Sequence, residues 1–446
     1  MAQRTGKTHL QKDAIGVIGI VFFVIAAAAP LAAVAGVAPI IFGTAGNTGA
    51  PGAYLLVTIV LLLFSVGFAA MSRYVSGPGG FAVYIARAFG LRSGTSASFV
   101  ALLGYNGFMI GNAGLFGFLA EPLFSDKLGV HLSWWAWTLA ALVVIGILGY
   151  REVTLSAKVL GVLLCLEIVI ILILDVAIFG AGGDSGITVS GFAPDAIFSG
   201  AAGITIMLAF ACFVGFEATT LYGEEARDRK RTIPRATYVA VLFVGAFYVL
   251  AMWAFQVGYG NEAAAAKGVD DPGNFIFTLS DRYVGGLSTD VMNWLVLTSI
   301  FACVLAFHNA LSRYMFALGR DRVFPSRLGR SHEVRESPHN ASLAQSAIAI
   351  AIVALFALAG GDPYLELYSW FVGVGAVAIL VLYMCASVAV MRFLRTETPE
   401  TRVWHTTVAP TLAALGLGAA VYLAVDNFSV SRSPPRSRRR RRPRPR

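Results

Sequence analysis

Two hydrophobic stretches of this chain carry residues that interrupt a helix in the middle of the stretch. Residues 26–39 read Ala-Ala-Ala-Ala-Pro-Leu-Ala-Ala-Val-Ala-Gly-Val-Ala-Pro, and residues 213–220 read Phe-Val-Gly-Phe-Glu-Ala-Thr-Thr. An unwound segment inside a bilayer leaves backbone N–H and C=O groups without helical partners, and hydrocarbon cannot satisfy them. Such a segment persists where it lines a cavity or binds a ligand. A pair of breaks at corresponding places in two halves of a chain is typical of a secondary transporter.

The chemistry available at two neighbouring breaks suits an amino acid. The second half of a broken helix presents free N–H groups and the positive end of its dipole to a carboxylate, and the first half presents carbonyl oxygens to an ammonium group. We therefore predict that residues 28–36 and 212–217 hold the substrate. The substrate-binding residues predicted here are Ala29, Pro30, Ala33, Gly36, Phe210, Phe213 and Gly215. The alternatives are a plain proline kink in the first stretch and ordinary packing for the two phenylalanines.

Two glutamates lie inside apolar stretches. Glu217 follows the second break directly, and Glu167 lies in the middle of another stretch. Ionisable residues are expensive inside a membrane, so each is a functional candidate by default. We predict that both take part in proton coupling or gating, because burial favours the neutral form of a carboxyl group and lets it carry a proton. The alternative for Glu167 is a hydrogen-bonded pair with a polar neighbour.

The composition identifies an integral membrane protein. The chain is 57% hydrophobic and 13% charged, with a mean hydropathy of +0.72, whereas soluble domains carry about 25% charged residues. The cysteines fall inside apolar stretches at positions 165, 212, 303 and 385. Their spacing matches neither a disulfide framework nor a zinc site, so we expect no metal and no cofactor.

Eleven stretches are long and apolar enough to cross a bilayer, which takes about 20 residues. They lie near residues 14–42, 50–72, 95–124, 132–149, 155–180, 197–222, 236–258, 290–316, 341–360, 365–391 and 404–425. The loops on one side hold most of the basic residues, and those on the other side hold only Lys127, Lys267 and Arg282. The positive-inside rule then predicts a cytoplasmic N-terminal segment, residues 1–13, in a multi-pass protein of the cell membrane.

The end of the chain differs from the rest. Nine arginines fall between Arg432 and Arg446, which accounts for the formal net charge of +9 and leaves a neutral body. The charge therefore gives no indication of nucleic-acid binding. We expect residues 426–446 to be disordered and foreign to the fold, with a twelfth span lost. A patch for nucleic acid or anionic lipid is the alternative.

Three segments together resemble the amino acid–polyamine–organocation (APC) transporter superfamily. They are Ser76-Gly-Pro-Gly-Gly80 with the following residues to 90, Gly215-Phe-Glu217 with the basic loop to 236, and Ser312-Arg313-Tyr-Met-Phe-Ala-Leu-Gly-Arg320 with the following residues to 325. The resemblance covers residues 14–425. It implies an all-α LeuT-like fold, with five helices repeated in inverted orientation over 14–180 and 197–391 and with helices 1 and 6 broken. Members normally have twelve spans.

The resemblance also suggests roles for individual residues. Asn112 matches a position near the substrate, with an interhelical hydrogen bond as the alternative. Glu217 matches a glutamate that responds to protonation. Glu167 is similar in position to a lysine that replaces a sodium ion in proton-coupled members. The chain departs from the family at residues 29–32, where many members carry a Gly-Ser-Gly-like break.

We therefore expect a secondary active importer of amino acids, driven by proton symport with alternating access. Its partners would be a small-molecule substrate, the coupling proton and the lipid bilayer, without nucleic acid. A polyamine or amine exchanger is the first alternative. A transporter-like sensor would need a signalling domain, and a membrane-embedded enzyme would need a catalytic constellation. Neither feature is evident in the sequence, so both are weaker interpretations.

Overall fold

The computed structural model describes most of the chain. The described residues are 16–75, 80–151, 157–184, 186–217, 219–220, 226–330, 338–398, 400 and 402–427. The predicted cytoplasmic segment 1–13 and residues 428–446 of the predicted tail 426–446 lie outside them, as do residues 76–79, 218 and 221–225 of the APC-like motifs. Residues 426 and 427 are helical. The expectations for those segments stay predictions.

Sixteen α-helices follow one another along the described residues. They are α1 Val17–Ala28, α2 Pro30–Pro39, α3 Ala50–Met71, α4 Gly80–Phe89, α5 Leu91–Leu128, α6 Trp134–Arg151, α7 Ala157–Ala181, α8 Pro194–Ile197, α9 Ala202–Cys212, α10 Arg229–Tyr259, α11 Asn261–Asp270, α12 Phe275–Tyr283, α13 Gly286–Arg320, α14 His339–Leu358, α15 Ser369–Thr396 and α16 Ala409–Asn427. Turns of π-helix extend α2, α15 and α16, over Ile40–Thr44, Pro363–Tyr368 and Trp404–Val408 respectively.

A helix occupies each of the eleven predicted spans. Within the described ranges, nine helices are long and apolar enough to cross a bilayer, counting α1, α2 and the π-turn after α2 as one. The other two predicted spans hold α6 and α9, which are shorter. Helices dominate because a bilayer offers no water to unpaired backbone groups, and a helix pairs them within one segment. Helices α4, α8, α11 and α12 were not predicted.

The helices of the two halves of the chain pack in equivalent positions. Helices in corresponding positions contact each other across the bundle, α3 with α10, α5 with α13, and α6 with α14. The neighbours α5 and α6 of the first half pack together in the same way as α13 and α14 of the second. This pairing is the arrangement expected of two five-helix repeats, each of which begins with an interrupted span.

The bundle has two ends. We call the end at which α1 begins the N face, and the opposite end, at which the π-turn after α2 finishes, the distal face. At the N face the Arg229 guanidinium, on the first turn of α10, donates hydrogen bonds to the Ser72 and Val75 carbonyls after α3. At the distal face the Asn47 amide donates to the Ile197 and Ser199 carbonyls. Both contacts join one repeat to the other.

Candidate functional site

The first break is a single residue. Ala29 lies between α1 and α2 with φ 44° and ψ 66°, a left-handed conformation that L-residues other than glycine adopt rarely. Pro30 follows as the first residue of α2. Its ring disfavours helical geometry at the residue before it, while its own fixed φ and missing N–H suit a helix start. The dipeptide Ala29-Pro30 thus ends one helix and starts the next.

Glu167 meets this break. It reaches from α7, is 5% exposed, and lies within hydrogen-bond reach of the Leu31 backbone N–H in the first turn of α2. Ser299 Oγ, on α13, donates to Glu167 Oε2 over 2.8 Å. A carboxylate is stabilised at a helix N-terminus by the freed N–H groups and the helix dipole. The glutamate therefore joins α7 to α13 through Ser299 and places its carboxyl group beside the start of α2.

The far end of α2 is held by two tyrosines. Tyr364 Oη donates to the Gly36 carbonyl oxygen over 2.8 Å, and a Cβ built on Gly36 would lie 2.2 Å from Tyr368 Oη. The backbone of α2 can approach these rings so closely because residue 36 has no side chain. The rings of Phe118, Tyr364 and Tyr368 stack in sequence. We call these three residues the distal aromatic stack.

The second break is longer. Helix α9 ends at Cys212, and the chain turns through Phe213, Val214 and Gly215. Gly215 has φ 115°, a region that glycine alone adopts readily. The Cys212 carbonyl, which has lost its helical partner, accepts from Tyr248 Oη on α10 over 3.1 Å.

Glu217 closes the second break. Its carboxylate is 4% exposed and accepts three hydrogen bonds, from the Gly215 backbone N–H at 2.8 Å, Tyr105 Oη at 2.8 Å and Tyr383 Oη at 3.2 Å. Tyr105 lies on α5 and Tyr383 on α15. The carboxylate therefore links the unwound segment to two helices of the surrounding bundle.

A second aromatic group lies on the N-face side of Glu217. Phe64, Phe68, Phe81, Phe216 and Tyr383 contact one another with ring centroids 5.0 to 6.3 Å apart. We call these five residues the N-face aromatic cluster. With the distal aromatic stack on the other side, aromatic side chains are packed on both sides of the breaks.

A small cavity of about 40 Å³ lies between the breaks. Its lining comes from both of them and from α5, α13 and the start of α15, and consists of Ala28, Ala29, Ala32, Ala33, Val37, Phe108, Asn112, Ala211, Cys212, Val214, Cys303, Phe307, Tyr368 and Val372. None of these carries a charge at neutral pH. Asn112 Nδ2 is used within its own helix, where it donates to the Phe108 carbonyl at 2.8 Å.

The predicted binding residues divide into two groups around this cavity. Ala29, Ala33 and Asn112 line it. Pro30, Gly36, Phe210, Phe213 and Gly215 are adjacent to lining residues along the chain or in space without being part of the lining. Phe213 packs its ring against Tyr248, with centroids 5.7 Å apart.

Both glutamates lie one residue away from the cavity. Glu167 is beside Cys303. Glu217 is separated from the cavity by Tyr105, whose ring lies 5.8 Å from that of Phe307. Neither carboxylate is part of the lining itself. Each can therefore respond to changes in the wall of the cavity without touching its contents in this conformation.

Several lining residues were missed from the sequence. Phe108 precedes Asn112 by one helical turn, so the i, i+4 spacing could have identified it. Phe307 and Tyr368 carry no local signal, because an aromatic residue in a membrane helix is equally suited to packing. Tyr105 and Tyr383 were missed as partners of Glu217 for the same reason.

The known proteins that resemble this chain include permeases and importers of amino acids or amines. The family described as amino acid permease matches residues 15–438. The low-affinity putrescine importer PlaP of Escherichia coli K12 is 25% identical over 69% of this chain and 66% of its own length. The amino-acid permease GAP5 of Candida albicans is 22% identical over 80% of this chain and 58% of its own length. The match thus covers less than two thirds of the length of either relative.

A third relative is covered more evenly. The uncharacterized amino acid permease YecA of Bacillus subtilis is 24% identical to this chain over 79% of both proteins. The family match spans both breaks, the glutamates and the cavity between them. With its helical bundle and two interrupted spans, the chain belongs to the amino acid permease family of the APC superfamily, whose members have the LeuT-like fold.

Proposed function

We propose that this protein is a secondary active transporter that imports amino acids or related amines by proton symport. We place it in the cell membrane with the N terminus in the cytoplasm, so that the N face is cytoplasmic and the distal face is outside. The observation that carries the proposal is the pairing of each break with a buried glutamate beside one shared cavity.

The arrangement supports alternating access. A cavity of about 40 Å³ holds little more than a water molecule, so an amino acid enters only when part of the wall moves. The distal aromatic stack contacts α2 through Gly36, and the N-face aromatic cluster includes Phe216 of the second break. Movement of α2 would open the distal side, and movement of the second break would open the N face.

Glu217 offers a place where a proton can affect opening. A carboxylate is the stronger acceptor for the Gly215 N–H and the two tyrosine hydroxyls, since hydrogen bonds to charged groups contribute about 1.5–3 kcal/mol against about 0.5–1.5 for neutral ones. Protonation therefore weakens the ties from the second break to α5 and α15. Binding of a proton and opening of the N face would be coupled in this way.

Reconstituted vesicles provide the direct test. Purified protein is first screened with amino acids and diamines by thermal stabilisation, and the compounds that stabilise it are then tested for uptake with a proton gradient, a sodium gradient or no gradient. We expect uptake that follows the proton gradient and is abolished by a protonophore. Uptake that follows sodium alone, or stabilisation without transport, would contradict the proposal.

Amine exchange is the second candidate. It is favoured by a cavity lining without lysine, arginine or histidine and by two neighbouring carboxylates, which together suit a cation. The relative in Escherichia coli is named as a putrescine importer. Vesicles preloaded with putrescine distinguish the two candidates: exchange requires substrate on both sides, whereas symport into empty vesicles does not.

A further inference from the structure

One buried carboxyl group has no part in the site described above. Asp175 lies on α7, is 0% exposed, and neither of its carboxylate oxygens has a hydrogen-bond partner among the residues that the structure describes. Leaving an ionised carboxylate buried without any partner is far costlier than leaving it neutral. In the closed conformation Asp175 is therefore a neutral acid. Its carboxylate must take up a proton before the protein reaches this conformation.

The helices packed against α7 offer no compensating charge. They are α1, α2, α10, α12 and α13, and α1 and α2 carry no titratable side chain. Outside the N-face ends of α10 and α13, the titratable groups on α10, α12 and α13 are Tyr248, Tyr259, Asp281, Arg282, Tyr283, Asp290, Cys303 and His308. In the described structure Asp281 is exposed and Cys303 is beside Glu167. Each of the other groups has a partner other than Asp175: Tyr248 bonds to Cys212, Tyr259 to Phe275, Arg282 to Asp184, Tyr283 to Gly258, Asp290 to Lys127 and His308 to Ser342.

Asp175 and Glu167 share the buried face of α7. Glu167, Ile171 and Asp175 follow at intervals of four residues, and all three are buried, so they form one row along the helix. Eight residues at about 1.5 Å each separate the two carboxyl groups by about 12 Å along the axis. Asp175 is the nearer of the two to the distal end of α7.

An apolar contact lies between Asp175 and the distal end of α7. One turn farther along α7, the side chain of Ile178 lies against Gly258 of α10, and Leu279 of α12 lies against the same glycine. Separation of α12 from α7 would remove Leu279 from this contact. Water from the distal side would then reach Asp175 before it reached Glu167.

We propose that Asp175 is a further proton-binding residue, which is loaded from the distal face when the Ile178–Gly258–Leu279 contact opens. The step is a simple protonation: the carboxylate takes a proton from hydronium, and a carboxylic acid and water result. The inference rests on the proposed proton symport, because only a proton-coupled cycle would use such a site. It adds a proton-binding site distinct from Glu167 and Glu217.

Two readouts test the proposal separately from the transport function. Infrared spectra of the purified protein at neutral pH show the carbonyl stretch of protonated carboxylic acids, and we expect one component of that band to disappear in Asp175→Asn. This measurement needs no transport. Asp184→Asn, which removes an exposed carboxyl just beyond the same helix, is the control and should leave the band unchanged.

In vesicles, Asp175→Asn should lose uptake driven by a proton gradient and keep counterflow, in which substrate exchanges for substrate without net proton movement. Asp175→Glu, which keeps an exchangeable proton, should restore gradient-driven uptake. If the Asn variant does not fold, the Glu variant still tests the proposal, through a shifted band component with uptake retained.

Two results would overturn the proposal: an unchanged band in Asp175→Asn, or full gradient-driven uptake by that variant. If the wild type shows no proton-driven uptake while the band component still disappears in the Asn variant, the proposed symport fails and the neutral state of Asp175 stands. That result overturns loading as part of a transport cycle.

Discussion

The two breaks use a glutamate in different ways. At the first break the glutamate comes from another helix: Glu167 of α7 meets the Leu31 N–H, and Ser299 of α13 supports it. At the second break the glutamate belongs to the unwound segment itself, and Glu217 accepts from the Gly215 N–H two residues earlier. The first break is thus held from outside, and the second closes on itself.

The two breaks also differ in length: the first is shorter than the second. The first consists of one alanine in a left-handed conformation followed at once by a proline that starts α2. The second runs through several residues and depends on the φ of 115° at Gly215. The first break is joined to the distal aromatic stack through Gly36, and the second to the N-face aromatic cluster through Phe216 and Tyr383. The comparison suggests a fixed hinge at the first break and a deformable segment at the second.

The largest expected effect comes from Gly215→Leu. A residue with a side chain is strained at φ 115°, at a cost of about 1–3 kcal/mol, and the new side chain would lie next to Val214 in the wall of the cavity. We expect the variant to lose the thermal stabilisation given by the compound that stabilises the wild type most.

The matched control for this substitution is Gly180→Leu, at an exposed position of α7 where no atom lies within 4 Å of the added Cβ. It should bind as the wild type does. Ligand-induced stabilisation retained by Gly215→Leu would show that the second break can deform without affecting the site.

Glu217→Gln should abolish or strongly lower net uptake and leave insertion into the membrane intact. Glutamine keeps the size of the side chain, and tyrosine hydroxyls can accept as well as donate, so Tyr105 and Tyr383 can still bond to it. What is lost is the exchangeable proton and the charge. Uptake by reconstituted vesicles is compared with the amount of inserted protein.

Glu167→Gln provides the comparison between the breaks. If the first break is a fixed hinge held from outside, this variant should lower the thermal stability of the protein, because the interaction of the carboxyl group with the start of α2 is weakened. Wild-type uptake by a well-inserted Glu217→Gln protein would refute the assignment of Glu217 to proton coupling.

Much of the fold was predictable from the sequence because a bilayer imposes simple rules. A run of about 20 apolar residues predicts each span, and Pro30 and Gly215 mark the breaks by their backbone preferences. The short helices α4, α8, α11 and α12 were missed because they are too short to be recognised by the length of an apolar run.

The site was predictable only in part, because its closest contacts join residues far apart in the chain. Glu217 meets Tyr105 and Tyr383 across 112 and 166 positions, and no local pattern indicates such partners. The proline does indicate which alanine in the run 26–29 leaves the helix, since the residue before a proline disfavours helical geometry. Asp175 was missed although it lies in an apolar run, where the rule that indicates Glu167 applies to it equally.

Ala29→Gly should have a smaller effect than the changes above. Glycine removes the strain of the left-handed conformation, about 1–2 kcal/mol, and this gain is offset by about 0.4–1 kcal/mol from the greater freedom of the unfolded chain. Thermal unfolding in detergent should therefore show little change or a slight gain in stability.

Two further glycine and alanine variants allow the stability effects at the two breaks to be compared. Ala33→Gly, inside α2, should destabilise by about 0.5–1 kcal/mol, as glycine does within a helix, and Gly215→Ala should destabilise by about 1–3 kcal/mol because of its φ. An Ala29→Gly protein as unstable as Ala33→Gly would mean that Ala29 is helical and that the first break is a plain proline kink.

The smallest expected effect concerns the ion pair that joins the distal end of α7 to α12, outside the membrane-spanning segments. Arg282 Nη1 donates to Asp184 Oδ2 over 2.8 Å and Nη2 donates to the other carboxylate oxygen. These hydrogen bonds, with the charge of the guanidinium, lower the pKa of Asp184 below its ordinary value. The pair therefore stabilises the folded state above the ordinary aspartate pKa, and this stabilisation is lost as the pH falls through the lowered value.

For an exposed pair we expect a coupling free energy of about 0.2–1 kcal/mol, measured by a double-mutant cycle of Arg282→Gln and Asp184→Asn at neutral and at acidic pH. A coupling that persists at acidic pH, or that does not weaken with added salt, would show that the link between α7 and α12 depends on packing rather than on charge.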